Sequence, residues 1–210
     1  FYFVLYLLNN LKVNSFDFNM EAQVNDYLEL IWVAKENEAA ANPPQGNLLV
    51  LSQSPKDSDF IKQSLKAFQL KLVDFPKADT TDELEQQINQ LISDDDLMQD
   101  VTGIIMLNSL TEDLPANHFL NTETLSKQCL ASLYAQFYLS KALIDFKRPL
   151  AWGIASISKN AYSVSGTESF YHPVAAASHT FALSAAMENA SVSCRVVDIE
   201  DGTSGDQIEQ

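Results

Sequence analysis

From Asn47 onward the chain alternates short apolar runs with amphipathic stretches, an order that few folds accept. The runs "NLLVLS", "LKLVDF", "VTGIIMLNS", "PLAWGIASIS" and "SVSCRVVDI" have the length and continuity of strands buried on both faces. Helical spacings lie between them. "DSDFIKQSLKAF" repeats Phe60, Ile61, Leu65 and Phe68 behind an N-cap at Asp57 or Ser58. "TTDELEQQINQLISDDD" starts at Thr80 or Thr81 and puts Leu84, Ile88 and Leu91 on one face. "NTETLSKQCLASLYAQFYLSKALIDF" reads as a single long helix from near Thr122, and "HPVAAASHTFALSAAMENA" as a helix with Pro173 near its first turn. Apolar strands joined by helices demand right-handed crossovers and a parallel sheet covered on both sides. The expected class is α/β: a Rossmann-like, doubly wound, mainly parallel sheet of about five strands with helices on both faces.

The chain has 210 residues, 46% of them hydrophobic, which supplies one good core. A formal charge of -15 excludes nucleic acid and anionic membranes as partners, because no basic patch is available to release counterions. Residues 1–44 read as a lead-in strand and linker from a preceding region: "DYLELIWVAKE" has strand character around a Trp, and "NEAAANPPQG" is a polar, Pro-rich linker. The opening "FYFVLYLLNNLKV" is too short to span a bilayer and lacks the basic start and cleavage site of a secretory signal. Residues 45–201 form the folded unit, and 202–210 a polar tail leading to a following domain. Cys129 and Cys194 read as reduced core thiols, which points to a cytoplasmic protein.

In doubly wound sheets ligands bind beyond the carboxyl ends of the strands. After the first strand stands Ser52-Gln53-Ser54-Pro55-Lys56-Asp57-Ser58, with no glycine. Cβ atoms and the Pro55 ring would crowd a pyrophosphate, and Pro55 removes a donor. Neither G-x-G-x-x-G nor G-x-x-x-x-G-K-[ST] occurs in the chain. Ser52, Ser54 and Ser58 offer hydroxyls beside a helix N-terminus and could hold a phosphate monoester or FMN; the simpler reading is a capped surface loop. A reductase pair needs Tyr and Lys four residues apart on a helix, but Tyr134 is followed by Tyr138, and Lys141 is three from Tyr138. A magnesium-dependent receiver needs paired carboxylates, an Asp and a Lys where this chain has Ser52-Gln53, Asn108 and Asp198. No G-x-S-x-G elbow is present. His118, His172 and His179 lack companion ligands and read as surface or capping residues. Asp94, Asp95, Asp96 and Asp100 lack the spacing and glycine of a calcium loop, and acids there end the helix before them. No catalytic, cofactor-binding or metal constellation emerges.

Several stretches together resemble a known family. "YLELIWVAKE" is similar to an entry strand carrying a Trp, and "GNLLVLSQSPKDSDFIKQSLKAF" to a strand and helix whose glycine loop has decayed. "VTGIIMLNSL" and the run from "KALIDFKRPLAWG" to "SCRVVDIED" follow in the same order. Over Tyr27 to Asp201 the chain resembles the structural, N-terminal pseudo-Rossmann subdomain of ketoreductases from modular polyketide synthases and polyunsaturated fatty acid synthases. It departs from that pattern at "SHTFALSAAMENA", where a Trp-Gly turn is common. The resemblance implies a non-catalytic half that binds no cofactor and packs on a following catalytic half. That half would carry NADPH and reduce a β-ketoacyl thioester on acyl carrier protein, with other synthase domains as partners. The competing expectation is a self-contained flavodoxin-like domain holding FMN on Ser52, Ser54 and Ser58.

Overall fold

Five strands lie side by side in the order β2-β1-β3-β4-β5, every neighbouring pair parallel. They are β1 (Asn47–Ser52), β2 (Gln69–Asp74), β3 (Val101–Asn108), β4 (Gly153–Lys159) and β5 (Cys194–Ile199). The computed structural model describes residues 46–108, 121–162, 172–189 and 191–199, all within the unit Ala39–Gln210. The entry strand at Asp26–Glu36, His118 and the polar tail lie outside the described residues. The order is that of the flavodoxin-like doubly wound sheet, in which the chain reverses direction between β1 and β3.

Period-2 alternation divides the strands between two cores. Leu49, Leu51, Ile104, Met106 and Ile154 face one side, against Leu84, Ile88 and Ile92 of α2 (Thr81–Ser93) and Leu139 and Leu143 of α5 (Ala135–Asp145). Leu48, Val50, Ile105, Leu107 and Ile157 face the other, against Ile61 of α1 (Pro55–Ser64) and Leu65 just beyond it. Continuous burial of β1 and β3 is the parallel-sheet signature the apolar runs announced.

Local chemistry moves some boundaries. The N-cap of α1 is Ser54, whose Oγ accepts from Lys56 N at 3.3 Å, and not Asp57 or Ser58. Pro55 explains the difference: its fixed φ preorganises the first helical position. The helix ends at Ser64, so Phe68 packs from the turn into β2. Thr80 caps α2 as expected, while Ile92, not Leu91, completes its buried stripe. The acidic run does end α2. Asp94 then caps the short α3 (Asp95–Met98), accepting from Leu97 N at 2.9 Å. The expected long helix is interrupted: α4 (Thr122–Cys129) passes through a π turn at Leu130–Tyr134 before α5. The helix α6 (Pro173–Glu188) is capped by His172, whose Nδ1 accepts from Ala175 N. Among the described residues no helix is long and apolar enough to cross a membrane.

Gly153 opens β4 at φ 75°, where an added Cβ would meet the Ser193 carbonyl oxygen at 2.1 Å. Gly153→Ala is expected to lower stability by roughly 3 kcal/mol or more, read as a shifted urea midpoint with unchanged slope.

Candidate functional site

The carboxyl ends of β1, β3, β4 and β5 share one end of the sheet. In this topology the crevice above β1 and β3 is the place for a ligand. The β1 loop spends its hydrogen-bonding groups on the protein itself. Ser52 is buried and donates Oγ–H to the Ser54 carbonyl at 2.8 Å, while Ser54 N approaches the same Oγ at 3.3 Å. Ser54 Oγ caps Lys56 N, and Ser58 N–H donates to the Ser54 carbonyl at 3.1 Å. Gln53 donates Nε2–H to the Ala131 carbonyl at 2.8 Å, tying the loop to the π turn 78 residues away. Ser52 and Ser54 therefore lie together, but Ser58 sits in the body of α1 instead of at its start. The helix beginning near Ser58, on which a phosphate or FMN site was to be built, begins three residues earlier with a proline.

The N-terminus of α1 also carries an acidic residue of its own. Asp57 stands in the first turn and is fully buried, and an acidic side chain near a helix N-terminus opposes the approach of a second anion. Composition could not reveal this, because an acid near a helix start reads as an ordinary cap.

Beyond β3 and β4 a buried polar layer runs under α5 and α6. Asn108 donates Nδ2–H to Ser156 Oγ at 2.9 Å, and Ser178 donates to the Ser132 carbonyl at 3.4 Å. Ser158 donates to Asp198 Oδ1 at 3.0 Å, and the same carboxylate accepts from the backbone of Ala161 and Tyr162. This pins the chain leaving β4 to the end of β5. Asn108 Oδ1, Ser132 Oγ, Gln136 Oε1 and both ring nitrogens of His179 are buried without hydrogen-bond partners. Groups left so cost about 1–3 kcal/mol each. The unpartnered atoms among these belong to amides, hydroxyls and one imidazole. Among the described residues no group of His, Cys, Asp or Glu is arranged to hold a metal ion.

His172 is a capping residue as expected; His179 is not a surface residue. It is completely buried, 5.8 Å from the Tyr162 ring, and burial holds its pKa down at about 4. Burial first, and then Asp198, pushes the Tyr162 phenol above its usual range. Neither group is set for proton transfer near neutrality. Both thiols are free and half-buried; Cys194 packs against the core as expected and Cys129 stands outside it, and both are unactivated: burial raises Cys129, and raises Cys194 to about 11. Acyl transfer on cysteine needs a thiolate, which neither supplies. Tyr134 sits exposed in the π turn, and Lys141 pairs with Glu85 of α2 at 2.5 Å.

A family model described as beta-ketoacyl synthase-like, N-terminal, matches residues 103–209, just over half of the chain. No curated protein sequence matches. Among solved structures, a C2-type ketoreductase from a modular polyketide synthase superposes with a TM-score of 0.52 at 16% identity. A-type ketoreductases from a modular polyketide synthase give a TM-score of 0.49 at 14% identity. Each match covers 81% of this chain and 35% of the reductase chain, so this chain spans about a third of those proteins. The C2-type structure shows the shared fold.

The buried imidazole fixes a pH dependence. Unfolded, His179 titrates near pH 6.5; folded, it resists protonation until about pH 4. Between those values the unfolded chain takes up the proton, so stability falls as pH drops through the window. From pH 7 to pH 4.5 the loss from this residue is about 2 kcal/mol. His179→Phe is expected to remove that share of the slope in urea unfolding at the two pH values, while a wild-type slope would show that the imidazole is not the group responsible.

Proposed function

Because the chain belongs to the beta-ketoacyl synthase-like, N-terminal family and shares its fold with polyketide-synthase ketoreductases, we propose that it is the structural half of such a reductase. In this reading it has no cofactor of its own. It stabilises a catalytic half that binds NADPH and reduces a β-ketoacyl thioester on acyl carrier protein, within a cytoplasmic polyketide or fatty-acid synthase. Residues 1–44 then lead in from a preceding region, 45–201 form the pseudo-Rossmann subdomain, and 202–210 lead onward.

The observation that carries the reading is the β1 loop. Ser52, Gln53 and Ser54 have their polar groups engaged with the protein, Pro55 offers no N–H, and an acidic residue, Asp57, stands buried in the first turn of the helix. A dinucleotide-binding sheet with that end closed serves as a scaffold. The flavodoxin-like alternative needs Ser52, Ser54 and Ser58 free and converging, and Ser58 lies within α1.

Titration calorimetry with NADPH and with FMN tests the proposal. The 210-residue chain is expected to bind neither. The longer polypeptide carrying the reductase half is expected to bind NADPH and to reduce a β-ketoacyl thioester. Micromolar binding of either cofactor by the chain alone would sink the scaffold reading.

A further inference from the structure

The side of β3 and β4 that meets α2 and α5 changes character along its length. Ile104, Met106 and Ile154 make its first part aliphatic. Period-2 alternation then puts Asn108, Ser156 and Ser158 in line with them, and all three are buried. The helices answer with polar groups of their own: Ser132 and Gln136 from the π turn and the start of α5, Ser178 and His179 from α6, also buried. Contacts tie the two sets together. Asp198 accepts from Ser158 and from the Tyr162 backbone, the Tyr162 ring lies 5.8 Å from His179, and Ser178 donates to the Ser132 carbonyl at 3.4 Å.

Five atoms in this layer keep an unmet hydrogen-bonding valence: the amide oxygens of Asn108 and Gln136, the Ser132 hydroxyl and the two ring nitrogens of His179. Both amides have already committed a donor, Asn108 Nδ2 to Ser156 Oγ at 2.9 Å and Gln136 Nε2 to Ser140 Oγ at 3.5 Å. Their oxygens can only accept. Burial holds the His179 pKa at about 4, so the ring is neutral near pH 7 and offers one donor and one acceptor. Acceptors are in excess. Left dry, the five atoms would offset a large part of a domain's marginal stability. Tyr162 and Asp198 border the layer and carry no positive charge, so an anionic guest meets no cation from them.

We propose that this layer is an internal binding site for water, a small ordered cluster that bridges Asn108, Ser132, Gln136 and His179. Water suits the excess of acceptors, because each molecule donates two bonds and brings no charge to be neutralised. A buried water takes roughly two to four polar partners, so these five atoms serve about two molecules. The cluster joins β3, α5 and α6 where their side chains do not reach one another. It also gives a reason for an otherwise apolar α6 to bury an imidazole: His179 holds the helix to the sheet through the solvent it binds.

Oxygen-17 relaxation dispersion of the solvent counts long-lived internal waters, and a crystal of the 210-residue chain locates them. Ser132→Ala and Gln136→Met each remove one partner, and Ser126→Ala on the exposed side of α4 is the control. The wild type is expected to show long-lived waters, with density within hydrogen-bond reach of at least three of the five atoms. The double variant is expected to lose half of that relaxation signal or more, and the control none. Ser132→Ala alone still reports where the double variant fails to fold, because alanine suits a helical position. No long-lived water in the wild type, or an unchanged signal in the layer variants, overturns the proposal. So does a crystal in which the five atoms bond directly to one another, or in which a solute other than water fills the layer.

Discussion

An all-parallel sheet cannot turn its chain at both ends alike, and that constraint governs this fold. Every strand must be re-entered from the same side, so each connection becomes a crossover and the loops that follow the strands collect at one end. β1 and β3 lie side by side at the centre, yet the chain leaves them in opposite directions. The crevice this opens is a consequence of topology and exists whether or not anything binds there. What decides function is how the sequence finishes it, and here Gln53 reaches across to the Ala131 carbonyl and fastens the β1 loop to the helix that follows β3.

That bond works with the π turn. A π turn widens a helix locally through i→i+5 bonding. The Ala131 and Ser132 carbonyls accept from Gln53 and Ser178, side chains belonging to the β1 loop and to α6. A local irregularity in one helix thus couples three elements around the strand ends. Helix α6 meets the polar layer on its inner side and solvent on its small residues, which is why its composition shows no polar face.

The sheet was legible because its signal is redundant: five apolar runs each repeat the same evidence, and tertiary burial reinforces what each run suggests. The acidic run was equally plain, since Asp94 to Asp96 cannot prolong α2 against its dipole. The site was legible mainly as a loss, in the missing glycines. How the β1 loop is tied down was hidden, because Gln53 and Ala131 are far apart in sequence and neither residue type marks a contact. The burial of His179 was missed for a related reason: the seven-residue spacing from His172 reads the same for a surface stripe as for one turned inward. Phe60, Leu65 and Phe68 extended the helical pattern past Ser64 because a turn that packs on the same core keeps the period.

The π turn also sets how this chain can change length. A single widened turn is equivalent to one surplus residue accommodated inside a helix, with the flanking segments still facing their original neighbours. Within 130–134, then, a one-residue deletion restores ordinary α geometry and leaves α4 and α5 oriented as they are, whereas the same deletion anywhere in α2 would rotate its buried stripe away from the sheet. The helix would survive the shortening. The Ala131 carbonyl would shift relative to the β1 loop, and the Gln53 bond is the contact that shift strains.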